Sequence, residues 1–251
     1  MSGHSKWATI KHAKAITDAR RGQAFTKLTK EIIVAARQGG GDPEGNFRLR
    51  IAIQRAKDQN MPNDNIERAI KRGTGGVGEG DQVDEVTYEG YGPGGSAILL
   101  QAMTDNRNRT ASAIRAVFTK SGGNLAQSGA VSWQFEQRAV VVASTPPGKA
   151  EDLAMAAIDA GAQDFETDGD TLHVYSPVAV LEQIRRTLTS LGAAIKSSEI
   201  SMLPKTPMTL DDHAARQTLK LLDRLEELDD VQKVYSNADF PDKVLDEYRN
   251  E

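Results

Sequence analysis

The chain has 251 residues, 39% hydrophobic and 26% charged, enough for two or three domains that each bury a core, and no apolar run approaches the roughly 20 residues that span a bilayer. It contains no cysteine, which excludes disulfides, iron–sulfur clusters and zinc–thiolate centres. The net charge of −4 conceals a division: residues 1–75 carry fifteen Lys/Arg against seven Asp/Glu, or +8, and the remainder carries −12.

A basic segment joined to an acidic body suits a polyanion-binding module, because Lys and Arg neutralise phosphates and release condensed counterions. The blander reading is a solvated helix surface. The N-terminal stretch MSGHSKWATIKHAK is basic but has no following apolar segment, so no secretory signal is expected and the expected location is cytoplasmic. Within it Lys6, Trp7, Lys11 and Lys14 set an aromatic ring among cations: Trp7 either stacks on a base while the lysines contact phosphate, or docks onto the bundle as a staple.

From Asp18 to Gln38, Phe25, Leu28, Ile32 and Ala36 recur at helical spacing and predict an amphipathic helix. At 100° per residue Arg20, Lys27, Lys30 and Arg37 share an arc of roughly 100° on another side. With Arg21 they predict a basic face. Gly39-Gly40-Gly41-Asp42-Pro43 ends this helix, and a second, from about Gly45 to Asn60, buries Leu49, Ala52, Ile53 and Ala56. Arg48 and Arg55 flank that stripe on one side and Arg50 and Lys57 on the other, with Phe47 and Ile51 opposite it. A third helix begins at Met61-Pro62-Asn63, carries Ile66, Ala69 and Ile70, and stops at Gly73. The three predict a basic helical domain over 1–75 without a helix-turn-helix signature, so no recognition helix is assigned.

A Gly-rich linker, 76–81, separates it from the acidic body. Gly73, Gly75 and Gly78 match a dinucleotide-binding spacing, but no strand precedes them and no Gly-Lys-Ser/Thr follows, so neither a dinucleotide site nor a P-loop is expected. Strands near Val86–Tyr91 and Ala97–Thr104 flank the turn Gly92-Pro93-Gly94-Gly95 and predict a hairpin, followed by a helix from Arg109 to Ser121 and strand character over Val131–Phe135. From Ala139 to Ile200 the order is strand, helix, strand, strand, helix, strand, the split βαβ pattern of ferredoxin-like domains. A capped helix after Thr209 and a strand near Val231–Tyr235 have no sheet of their own. The expected organisation is therefore an α+β domain of 82–136 plus 205–240, an inserted ferredoxin-like α+β domain of 137–204, and a tail of 241–251.

Chemistry is sparse. His4, His12, His173 and His213 are dispersed, no nucleophile elbow occurs, and no metal, cofactor or catalytic residue is expected. The densest polar run in the body is Thr104-Asp105-Asn106-Arg107-Asn108-Arg109-Thr110 at a strand-to-helix junction; capping by Asp105 and Asn108 is expected there, with Arg107 and Arg109 as candidate phosphate or partner contacts.

The ordered segments MSGHSKWATIKHAKAITDARRGQAFTKLTKEI, NFRLRIAIQRAKDQNMPNDNIERAIKRGTG, YEGYGPGG and TDNRNRT resemble the YebC family across essentially the whole chain. The resemblance implies an N-terminal helical domain followed by two α+β domains. It also implies a non-enzymatic regulator of gene expression, since bacterial members are described as transcriptional regulators that bind DNA. Mitochondrial relatives activate translation of cytochrome c oxidase subunit I, which implies as an alternative a ribosome-associated factor that binds ribosomal RNA and relieves stalling. A protein-interaction adaptor acting through the acidic domains is a further alternative. No membrane partner is expected.

Overall fold

A computed structural model of the protein describes the backbone of residues 18–75 and 83–249 and the side chains of 22–75 and 83–248. The chain divides into two compact units, one of residues 133–206 and one built from the segments on either side.

The flanking unit opens with α1 (Asp18–Gly39), α2 (Phe47–Asp58) and α3 (Asn63–Gly73). Leu28, Ile32, Ala36, Leu49, Ala52, Ala56, Ile66 and Ala69 form their common core. Asn46 organises the α1–α2 corner: its side chain accepts from the Leu49 amide at 3.1 Å, capping α2, and donates to the Ala35 and Gly40 carbonyls, each at 2.8 Å. One short amide thus satisfies backbone groups at two helix ends. Gly73, expected to be a stop signal, is the last residue of α3 and a packing contact. A Cβ there would meet the Ile33 carbonyl oxygen at 2.5 Å and the Ala36 Cβ at 2.7 Å, so only glycine lets α3 lie this close to α1.

The sheet of this unit has the order β3-β1-β2-β9, from β1 (Asp84–Tyr91), β2 (Ala97–Thr104), β3 (Asn124–Leu125) and the late β9 (Val231–Ser236), all neighbours antiparallel. The β1–β2 hairpin turns through Gly94 and Gly95, whose φ values of +73° and +85° favour glycine. On one side Ile98 and Leu100 pack with Ile114 and Phe118 of α4 (Arg107–Lys120) and Leu219, Leu222 and Leu225 of α7 (Asp212–Glu226). Met103 and Val83 instead join the core of the three helices. The helical module is therefore packed where β1 begins and β2 ends, the two inner strands of the sheet, as part of one unit.

The unit of residues 133–206 contains β4 (Phe135–Ser144), α5 (Ala150–Asp159), β5 (Asp164–Asp168), β6 (Thr171–Ser176), α6 (Leu181–Ser190) and β7 (Ala194–Pro204). Its antiparallel strands run β5-β6-β4-β7, the arrangement of a ferredoxin-like fold. Period-two burial of Ala139, Val141 and Ala143 meets Leu153 and Ala157 of α5 and Ile184 and Leu188 of α6.

Two expectations need correction, and one small sheet was not expected. Val131 is buried but precedes the strand, because a 3-10 turn, Ser132–Gln134, intervenes and β4 begins at Phe135. The short β8 (Met208–Thr209) and β10 (Ala238–Asp239) pair in parallel, and neither has enough alternation to be read from sequence. Residues expected to be a tail form α8 (Asp242–Arg249), whose Val244, Leu245 and Tyr248 lie in the core beside α7.

Candidate nucleic-acid interface

The cations of α1 serve a purpose that their helical phasing did not show. The Lys27 Nζ donates to the Glu226 carbonyl at 2.6 Å, Lys30 Nζ donates to the Asp229 carbonyl at 3.2 Å and Asp230 Oδ1 at 2.5 Å, and Arg37 Nη1 donates to the Val83 carbonyl at 3.1 Å. Gln23 also donates to the Glu227 carbonyl. The C-terminus of α7 leaves carbonyls without helical partners and carries partial negative charge, and the α1 ammonium groups satisfy both. Lys27 and Lys30 of the predicted basic arc thus face the α7–β9 turn, and Arg37 reaches the backbone just before β1. Lys6, Trp7, Lys11 and Lys14 lie outside the described residues, as do the side chains of Arg20 and Arg21.

On α2 the cations divide by partner. Arg48 is neutralised by Glu85, with its Nη2 at 3.1 and 3.2 Å from the two carboxylate oxygens, and also donates to Gln38 at 2.6 Å. Arg55 Nη1 lies 2.8 Å from both oxygens of Glu31 on α1. Arg50 has no carboxylate partner; its Nη1 donates to the Pro43 carbonyl at 3.3 Å and its guanidinium carbon stands 5.6 Å from the centre of the Phe47 ring. Lys57, exposed on the same side, makes no ion pair among the described residues. On α3, Arg68 donates to the Asp64 carbonyl and to Asn65, and Lys71 is exposed; neither has a carboxylate partner among the described residues. The sequence did not single out Arg68 and Lys71, although both sit in the NIERAIKRG segment, because which cations of the module find an acid depends on partners distant in sequence, such as Glu31 for Arg55 and Glu85 for Arg48, that meet them only once the helices pack.

The TDNRNRT segment is organised around one partly buried carboxylate. Asp230 Oδ2 accepts from Thr110 Oγ1 at 2.6 Å and Arg109 Nη2 at 3.1 Å while its Oδ1 holds Lys30, joining α1, α4 and the α7–β9 turn. Burial pushes its pKa up, but the bonds from Lys30, Thr110 and Arg109 outweigh this and hold it below the ordinary carboxylate value. Asn106, rather than Asp105 or Asn108, caps α4, accepting from the Arg109 amide at 3.0 Å. Asp105 pairs with Arg109 at 2.6 Å, and Arg107 pairs with Asp84 at 2.9 Å. Both candidate arginines therefore hold carboxylates of their own chain.

A second carboxylate, this one buried, lies in the YEGYGPGG segment. Glu89 on β1 accepts from the amides of Gly129, Val131 and Ser132 at 2.7, 2.7 and 2.8 Å, pinning the loop that leads out of this unit. Burial raises its pKa, and the three backbone donors overcome that to leave it lowered. His173, buried on β6 opposite Glu166, is held below its usual value by desolvation. Among the described residues no group of three or more His, Asp or Glu is arranged to hold a metal ion, and no helix is long and apolar enough to cross a membrane.

The chain thus contains a helical module, an α+β body completed by the late β9, and a ferredoxin-like unit inserted in the sequence of that body. Residues 5–76 match the model of the TACO1/YebC N-terminal domain, and residues 83–238 match that of the TACO1/YebC second and third domains. The chain belongs to the TACO1/YebC family. Similar TACO1/YebC relatives include a probable transcriptional regulatory protein of Dehalococcoides mccartyi strain BAV1, 56% identical over the whole of both chains. Another, from Moorella thermoacetica, carries the same description and is 52% identical over 98% of this chain and 99% of its own. Among solved structures, a conserved hypothetical protein of Aquifex aeolicus superposes with a TM-score of 0.81 at 46% identity, covering 90% of this chain and 93% of that one.

Proposed function

We propose that this TACO1/YebC protein is a non-enzymatic regulator of gene expression that holds nucleic acid against the outer face of α2 and α3. The observation that carries this reading is the sorting of cations in the helical module. Lys30, Arg48 and Arg55 pair with carboxylates and Lys27 and Arg37 donate to carbonyls of distant elements, whereas Arg50, Lys57, Arg68 and Lys71 have no carboxylate partner among the described residues, Arg50 and Arg68 donating only to groups nearby in sequence. Charge left uncompensated on one side of a rigid bundle is what a phosphate backbone neutralises, with counterion release driving association. The description of the relatives as probable transcriptional regulatory proteins supports the same class of function. The adaptor reading gains less support, since Asp84, Glu85, Asp105 and Asp230 of the acidic body are already paired with arginine or lysine.

Duplex DNA and ribosomal RNA both present phosphate, so the test measures binding to each across a salt series. Reversing Arg50 and Lys57 to glutamate reduces the log–log salt slope by about 2 and weakens binding without changing the melting temperature. Reversing Lys30 lowers the melting temperature through loss of the Asp230 bridge. Identical slopes for wild type and the Arg50/Lys57 variant would overturn the assignment.

A further inference from the structure

We propose that Phe47 and Arg50 form a stacking platform for an unpaired nucleobase, with Lys57 receiving a neighbouring phosphate. The inference rests on the nucleic-acid reading and makes it specific to strands with unstacked bases.

Phe47 is the first residue of α2, and its side chain is 50% exposed, on the side of the helix opposite the buried Leu49, Ala52 and Ala56. A ring in that position contributes nothing to the core. Its placement is nonetheless fixed: Asn46 immediately before it is buried and caps α2 while bonding two carbonyls of α1 and the turn that follows. Arg50, one turn on, is tethered to the Pro43 carbonyl with its guanidinium over the ring at 5.6 Å. Arginine planes and phenyl rings are the two surfaces on which bases stack in single-strand recognition, and here they stand side by side.

The charge pattern along α2 selects the same face. Arg48 and Arg55, which flank it, are neutralised by Glu85 and Glu31, so the helix's uncompensated positive charge is confined to Arg50 and Lys57, two turns apart or about 10 Å along the axis. The one carboxylate on α2, Asp58, lies at its far end and accepts from Gln54 at 2.8 Å. Phe47 and Arg50 stand in the first turn of α2 and Lys57 in its last, beside Asp58, an order that complements a base and a phosphate of the same strand. A base inside a duplex has both faces covered by its neighbours, so the platform takes an unpaired base in preference to duplex.

The test uses the full-length protein and fluorescence anisotropy with short single strands of RNA and of DNA, the same strands with internal abasic positions, and a duplex. The wild type should bind base-bearing strands roughly tenfold more tightly than abasic ones. Phe47→Leu should abolish that preference with an unchanged salt slope and melting temperature, Phe47→Tyr should restore it, and Lys57→Gln should weaken base-bearing and abasic strands equally. The RNA and DNA arms identify which sugar the platform accepts, and a Phe47-dependent preference on either supports it. Equal wild-type binding of base-bearing and abasic strands, a preference for duplex, or a Phe47→Leu variant that keeps the preference would overturn the platform and leave phosphate binding standing. A wild type that binds no nucleic acid would overturn both.

Discussion

At the scale of single residues, the polar groups that matter most to the fold are those that satisfy several backbone partners at once. Asn46 is buried and makes three bonds to backbone, so Asn46→Ala strands two carbonyls and an amide, and thermal unfolding should show a loss of about 1–3 kcal/mol. Glu89 holds three amides as a carboxylate. Its pKa in the folded state lies below the ordinary 4.5, so its contribution to stability is whole above that value and is lost as pH falls through the folded-state value. Asp230 behaves in the same sense for the same reason. Denaturation followed from pH 7 to acid should therefore fall less steeply for Glu89→Gln than for wild type, from a lower starting stability. The two carboxylate roles escaped the sequence because the partners of Glu89 are backbone amides some forty residues away and those of Asp230 are side chains of Lys30, Thr110 and Arg109, far off in the chain, which no local spacing encodes.

At the scale of elements, periodicity located the three N-terminal helices, the β1–β2 hairpin and the ferredoxin-like order, because each segment is long enough to show its period of 3.6 or 2. The same periodicity misread the basic side of α1. Ile33, Val34 and Ala35 are buried as well as the predicted stripe, so α1 is enclosed over residues 32–36, and Lys27 and Lys30 on its flank reach the C-terminus of α7 and the turn after it. Two faces of a helix can both be internal when a second layer covers it. The α1–α3 contact has its own requirement at Gly73: an alanine there meets a backbone oxygen that cannot rotate away, and Gly73→Ala should cost about 1–3 kcal/mol, read as a lowered denaturation midpoint with an unchanged slope. Alpha-8 was missed because its apolar residues, Val244, Leu245 and Tyr248, cover barely one turn.

At the scale of the whole molecule, the contrast of +8 and −12 between the first 75 residues and the rest was plain in the sequence, but its meaning is divided. Part of the positive charge is internal, binding α1 to the α7–β9 turn and α2 to Glu85; among the described residues, the part on α2 and α3 that finds no acid is the charge the proposed nucleic-acid face would use. Residues 133–206 have a core of their own, and the isolated segment should unfold cooperatively in a circular-dichroism melt; a broad, non-cooperative transition would show that its core depends on the rest of the chain. The most direct measurement of the central claim is ultraviolet crosslinking of the full-length protein to single-stranded nucleic acid, with the modified peptides mapped by mass spectrometry. The account predicts adducts within residues 47–71 that disappear when Phe47, Arg50 and Lys57 are replaced together, whereas adducts confined to residues 133–206, or unaltered by those replacements, would contradict it.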